Sequence, residues 1–215
     1  MFQDRYDAGM QLSEKLKMYK DDPDAVVFAI PRGGVIIADV VCEQLNLPMD
    51  IVVTRKIGAS YNEELAIGAV DPKGGKILNH DAIDMIRVSD EYIEKEARRK
   101  AEEARARLNN YRGNDKYDDL LGKKALIIDD GIATGYTVMA AINFLRELKP
   151  EKLILGTPVI APDTLTEMEK LVDELVCVIS QEPFYAVGRF YKNFTQVSDE
   201  EVMTVLNKRG FSMGT

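Results

Sequence analysis

Ala125-Leu126-Ile127-Ile128-Asp129-Asp130-Gly131-Ile132-Ala133-Thr134-Gly135-Tyr136-Thr137 is the stretch on which the reading turns. Four consecutive apolar residues predict a short strand buried on both faces. Two adjacent carboxylates end it, and a small hydroxyl-bearing loop leads into a helix predicted over 135–148. In open α/β sheets, ligands collect at the carboxyl ends of the strands. Gly131 and Gly135 let backbone amides turn toward an anion. Thr134 and Thr137 add hydroxyl donors, and the helix start offers free N–H groups at the positive end of its dipole. A dianionic phosphate fits such a loop. Two acids beside a phosphate repel it, so Asp129 and Asp130 need other partners. The cis hydroxyls of a ribose would serve as donors, and bound Mg²⁺ would offset the charge. Asp-Asp-Gly alone is equally a strand-ending turn and helix cap; the longer run asks for more.

Working outward, residues 4–20 show apolar positions at helical spacing, closed by Asp21-Asp22-Pro23-Asp24. Residues 26–30 predict a buried strand, Pro31-Arg32-Gly33-Gly34 a junction, the segment to about Leu45 a helix, and 49–54 a second strand. That is the βαβ unit of a parallel sheet. Residues 55–64 read as a loop, and 65–70 with 76–78 as a hairpin around Asp71-Pro72-Lys73-Gly74-Gly75. Residues 89–112 read as a long charged helix capped by Ser89, its run 94–107 as a solvated face. Strands over 152–159 and 175–179 flank a helix over 163–172, and Ser198-Asp199-Glu200-Glu201 opens a last helix as a capping box. The expected fold is α/β: an open, mainly parallel sheet of about five strands flanked by helices. It carries a hairpin flap, the long charged helix and a small terminal hood. One domain is expected over 1–215, with its core at about 24–180 and its hood from the N-terminal helix and 181–210.

Composition narrows the function. The chain has 215 residues, 46% hydrophobic and 30% charged, enough for a core without disulfides. Cys42 and Cys177 lie in apolar runs and read as small buried hydrophobes, with no spacing for a thiolate metal site. A net charge of −8 argues against a nucleic-acid-binding surface, though not against a small anion in a local positive pocket. No apolar run reaches membrane-spanning length, and the first residues do not start a signal peptide, so a cytoplasmic setting is expected. His80 is the single histidine and no G-x-S-x-G occurs, which disfavours nucleophilic triads. Neither a Walker loop nor a G-x-G-x-x-G fingerprint is present.

Residues 125–137 resemble the 5-phosphoribosyl-1-pyrophosphate (PRPP) motif of the type I phosphoribosyltransferases. The segments at 31–35, 55–59, 64–70 and 183–188 extend the likeness to a subgroup of predicted phosphoribosyltransferases over nearly the whole chain. The resemblance implies Mg²⁺-dependent transfer of the phosphoribosyl group from PRPP to a nitrogenous base. Asp129 and Asp130 would hold the ribose hydroxyls. Gly131, Ile132, Ala133, Thr134, Gly135, Tyr136 and Thr137 would hold the 5-phosphate. Arg32, Gly33 and Gly34 would form the pyrophosphate loop, which in the family often contains a cis peptide. Arg55 and Lys56 would neutralise the leaving pyrophosphate, Glu64 would belong to the flap, and Phe184 or Tyr185 would stack on the base. Mg²⁺ would be held mainly through PRPP and water, near Asp129 and Asp130, and a homodimer is implied. Two departures stand out: Gly131 where the family places a bulky apolar residue, and Tyr136 where it places a small one. Ala133 lacks the acid of the hypoxanthine–guanine enzymes. A second reading is a non-catalytic PRPP or nucleotide sensor on the same fold; a third is a scaffold with no ligand.

Overall fold

A computed structural model describes residues 1–211, except for the side chain of Glu64. Strands apolar on both faces build the main sheet. β1 (Ala25–Ala29), β2 (Met49–Ile51), β6 (Lys124–Ile128), β7 (Lys152–Val159) and β8 (Glu174–Ile179) pair in parallel, in the order β2-β1-β6-β7-β8. Successive side chains alternate between faces. Val27, Leu126, Ile128 and Ile154 therefore meet α1 (Arg5–Lys15), α2 (Gly33–Leu45) and α7 (Asp199–Lys208) on one side. Phe28, Ile127, Leu153 and Leu155 meet α5 (Tyr136–Glu147) and α6 (Pro162–Met168) on the other. The open, parallel five-stranded sheet flanked by helices is the architecture the apolar runs predicted.

A second sheet departs from expectation. β3 (Arg55–Ala59), β4 (Asn62–Val70) and β5 (Lys76–Leu78) form an antiparallel sheet, so the predicted loop at 55–64 is largely strand. The glycines that read as loop punctuation instead permit close backbone approach at an irregular register. A Cβ on Gly58 would lie 2.5 Å from the Glu63 carbonyl oxygen, and one on Gly68 2.3 Å from that of Ile77. α3 (His80–Ile86), capped by Asn79, was not anticipated.

The long helix α4 (Asp90–Arg112) is capped by Ser89 as predicted, but it is not a purely solvated rod. Ile93, Ala97 and Ala101 close the core under the small sheet. Ala104, Leu108 and Tyr111 join the main core. Half-exposed Arg99 bridges buried Glu96 and partly buried Glu103 along the same helix.

Segments near the two ends of the chain are tied together. Phe2 N–H donates to the Phe190 carbonyl at 2.8 Å, and Lys192 N–H to the Phe2 carbonyl at 2.9 Å. The Phe2 ring is fully buried, 5.2 Å from that of Tyr191. α7 opens with the predicted capping box, Ser198 against Glu201.

Candidate active site

Three loops leave adjacent strands at one edge of the main sheet. The loop after β6 begins with Asp129 and Asp130, the loop after β1 holds Arg32-Gly33-Gly34, and residues 52–54 leave β2 for β3. Parallel pairing brings them together: Ile30 N–H donates to the Ile128 carbonyl, Val52 N–H to that of Ala29, and Ile132 N–H to that of Val159. The Thr54 hydroxyl donates to the Thr137 carbonyl at 3.0 Å, joining the third loop to the start of α5.

Glycine governs the contact between the first two loops. A Cβ on Gly33 would fall 1.8 Å from Asp130 Oδ2, and one on Gly34 2.8 Å from the Ile128 carbonyl oxygen. The Pro31–Arg32 peptide is cis, as the resemblance implies. α2 and α5 both start without a side-chain cap, at Arg32 and Gly135. Asp4, Asn79, Ser89 and Ser198 cap α1, α3, α4 and α7, and α6 starts uncapped at Ala161 with a proline in its first turn. The free N–H groups of α2 and α5 therefore lie at the two junctions the sequence marked for anions.

Gly135 has φ +77° and packs against Met168 and Thr164, so its position is fixed by backbone conformation and space together. Ala133 and Thr134 are exposed, Ile132 is buried, and Tyr136 is half-buried at the start of α5. The Thr164 hydroxyl anchors the loop through the Ala133 carbonyl at 2.5 Å. The departure at Gly131 has a steric cause: a Cβ there would lie 2.2 Å from Val187 of the hood. The bulky residue of the family pattern is exchanged for a hood side chain that seats on the loop.

The acid pair is held by groups that local sequence did not mark. Asp130 Oδ2 accepts from Arg5 Nε at 2.7 Å, with both side chains largely buried. The same guanidinium donates to the Thr195 carbonyl at 2.8 Å and stacks 4.0 Å from the Phe194 ring centroid. The Tyr191 hydroxyl donates to the Asp130 carbonyl at 2.5 Å. Asp129 Oδ1 accepts from the Asp130 N–H at 2.9 Å. Burial, then the neighbouring Asp130 charge, pushes the Asp129 carboxyl well above the usual carboxylate range. Burial also raises Asp130, opposed by Arg5.

Arg55 and Lys56 line a cavity of about 210 Å³ with Gly58, Glu63, Glu96 and Lys100. Arg55 donates to Glu103 of α4 at 2.9 Å. Arg32 lies 4.0 Å from Asp199. Phe184 packs on Phe190 at 5.2 Å as part of the hood core, whereas Tyr185 is 80% exposed. The expectation placed on the Glu64 side chain falls outside the described residues. Cys42 is buried, its thiol pushed up to about 12 by burial, and Cys177 is half-buried. Among the described residues, no cluster of three or more His, Cys, Asp or Glu is placed to hold a metal, and no helix is long and apolar enough to cross a membrane.

A parallel sheet with paired acids after one strand and glycine-lined, uncapped helix starts at its edge is an arrangement suited to a phosphate-bearing ligand. Residues 2–192 match the phosphoribosyl transferase domain, and the chain belongs to that family. A Mycobacterium tuberculosis H37Rv protein, whose phosphoribosyl transferase name is itself provisional, is 36% identical over 208 residues, covering 97% of this chain and 47% of that protein. The chain thus spans about half the length of the curated relatives it matches. The crystal structure of TT1426 from Thermus thermophilus superposes with a TM-score of 0.77 at 34% identity, covering 96% of this chain and 98% of that one. A segment of 59 residues, 26% of this chain, is 41% identical to part of the ribose-phosphate pyrophosphokinase of Pyrococcus furiosus, 21% of that protein.

Proposed function

We propose that this domain transfers the 5-phosphoribosyl group of PRPP to a nitrogenous base and releases pyrophosphate. The observation that carries the reading is the convergence of the Asp129–Thr137 loop and the Arg32-Gly33-Gly34 junction on one edge of the main sheet, with Thr54, the residue before Arg55, bonded to Thr137. The amides at the start of α5, with Thr134 and Thr137, receive the 5-phosphate. Asp129 and Asp130 accept from the ribose hydroxyls, with Arg5 fixing Asp130. Arg32 and Arg55 receive the pyrophosphate, with Lys56 on the same strand. As the bond from C1 to the pyrophosphate oxygen breaks, its electron pair leaves with that oxygen. The sugar gains oxocarbenium character, and a base nitrogen forms the new bond from the opposite face. The residues contribute positioning and preorganised charge.

The residues fit Mg²⁺ that arrives with the substrate. Asp130 has one oxygen taken by Arg5, and Asp129 accepts from its neighbour's amide, leaving a donor set too small for an all-protein cage. Bound there, the ion would neutralise pyrophosphate charge. A homodimer in the cytoplasm belongs to the same reading, to be checked by sedimentation and fractionation.

The test is calorimetric titration of PRPP with Mg²⁺ into wild type and Asp129→Asn/Asp130→Asn, followed by a panel of bases scored for pyrophosphate release. Expected are binding by wild type, a loss of about 1.5–3 kcal/mol for each charged acceptor removed, and release with at least one base. Binding without release from any base would instead leave a PRPP sensor.

A further inference from the structure

Asp199, the first residue of α7, is a point of convergence for cations from three other parts of the fold. Arg32 of the glycine junction lies 4.0 Å from its Oδ1, and Arg107 of α4 lies 3.7 Å from its Oδ2. The Tyr111 hydroxyl donates to Oδ1. Arg55 is close enough for its charge to act on the same carboxyl. Asp199 is held below the usual carboxylate range, first by the Tyr111 hydrogen bond and then by Arg107, Arg32 and Arg55. The three arginine side chains remain 27–30% exposed, and that of Asp199 54%.

This arrangement is short of acceptors at Arg32 and Arg107, whereas Arg55 also donates to Glu103 at 2.9 Å. Each guanidinium presents five N–H donors in a planar fork suited to bidentate oxygens. A single carboxylate touching two of them at 3.7 and 4.0 Å leaves that capacity largely unused. An anion with several oxygens and more than one negative charge would fill it better. Displacing the carboxylate would cost the Tyr111 hydrogen bond but need not move its helix. The far end of α7 is fastened to α2 by Arg209 on Asp39 at 2.6 Å, and Val202 and Leu206 are fully buried.

Resting on the transferase reading, which already assigns Arg32 and Arg55 to the pyrophosphate, we propose that Arg107 is a third pyrophosphate-binding residue and that Asp199 is the internal anion the pyrophosphate group displaces. The long helix is then part of the site, supplying from its hood-facing end a ligand to the leaving group. The hood holds the arginines in place before substrate arrives.

The experiment titrates inorganic pyrophosphate with Mg²⁺ into wild type, Arg107→Gln, Arg107→Lys, Asp199→Asn and Arg32→Gln, each checked for an unchanged melting midpoint. Arg107→Gln is expected to weaken binding about tenfold or more, the share of a charge-assisted hydrogen bond. Arg107→Lys should recover part of the loss, and Asp199→Asn should tighten binding several-fold. A wild-type affinity in Arg107→Gln and Asp199→Asn, with binding still weakened in Arg32→Gln, would overturn this assignment and leave the transferase reading standing. A wild type that bound neither pyrophosphate nor PRPP would overturn the transferase reading and this inference together.

Discussion

On the transferase reading, Asp129 sets ligand affinity against stability. A carboxyl whose pKa is raised on folding favours the fold in its protonated form. That contribution is complete below the unfolded value of about 3.9 and is lost as pH rises through the folded value. At pH 7 wild type therefore carries an electrostatic penalty that burial and Asp130 impose on Asp129. Asp129→Asn keeps an oxygen for the Asp130 amide and removes the charge. The ligand-free variant should melt higher than wild type at pH 7, with the gap narrowing toward pH 4, while binding Mg²⁺–PRPP more weakly. Melting curves at both pH values check this, and a variant less stable at pH 7 would refute it. The acid pair was legible because it follows an apolar strand directly. Arg5 was not: 125 positions separate it from Asp130, and nothing around it in sequence marks a partner. Arg107, proposed above for the pyrophosphate, sits in a run of mixed charge where each member looks like its neighbours.

The elements differ in legibility for a similar reason. Strands of the main sheet are apolar on both faces, a pattern that survives without knowledge of the neighbours. The small sheet is shaped by glycines at 58 and 68, whose purpose appears only when the opposing backbone is in place. α4 reads as solvated because the middle of its buried face is carried by Ala97, Ala101 and Ala104, which add little to a hydrophobic pattern while allowing close docking. α5 depends on Gly135 at its start. Gly135→Ala would put a side chain at φ +77° and 2.4 Å from Met168 Cε. The conformation alone costs about 1–2 kcal/mol, and relief of the clash would shift the amides proposed to receive the 5-phosphate. Urea unfolding should register the first effect and PRPP titration the second; unchanged affinity in a folded variant would separate the helix start from the phosphate.

On the scale of the whole molecule, the roof over the acid pair is assembled from residues far apart in the chain. Phe2, Arg5, Phe190, Tyr191 and Phe194 pack or bond together, and Asp130 lies beneath them. Phe2→Ala should lower unfolding free energy by about 3–5 kcal/mol and weaken PRPP binding through the loosened Arg5. A change within about 0.5 kcal/mol, as at a surface position, would show that the tie does not bear on the fold. The tie also fixes an order of events during synthesis. Residues 2–5 leave the ribosome long before residues 190–195 and must wait for them, so the contacts that seat Arg5 are among the most non-local in the chain. A nascent chain halted after β7 would already contain both acids and the phosphate loop, yet lack the ring on which Arg5 rests. On the proposed function, ligand recognition would mature only once the hood segment is translated, and partial chains would stay inert toward the sugar phosphate.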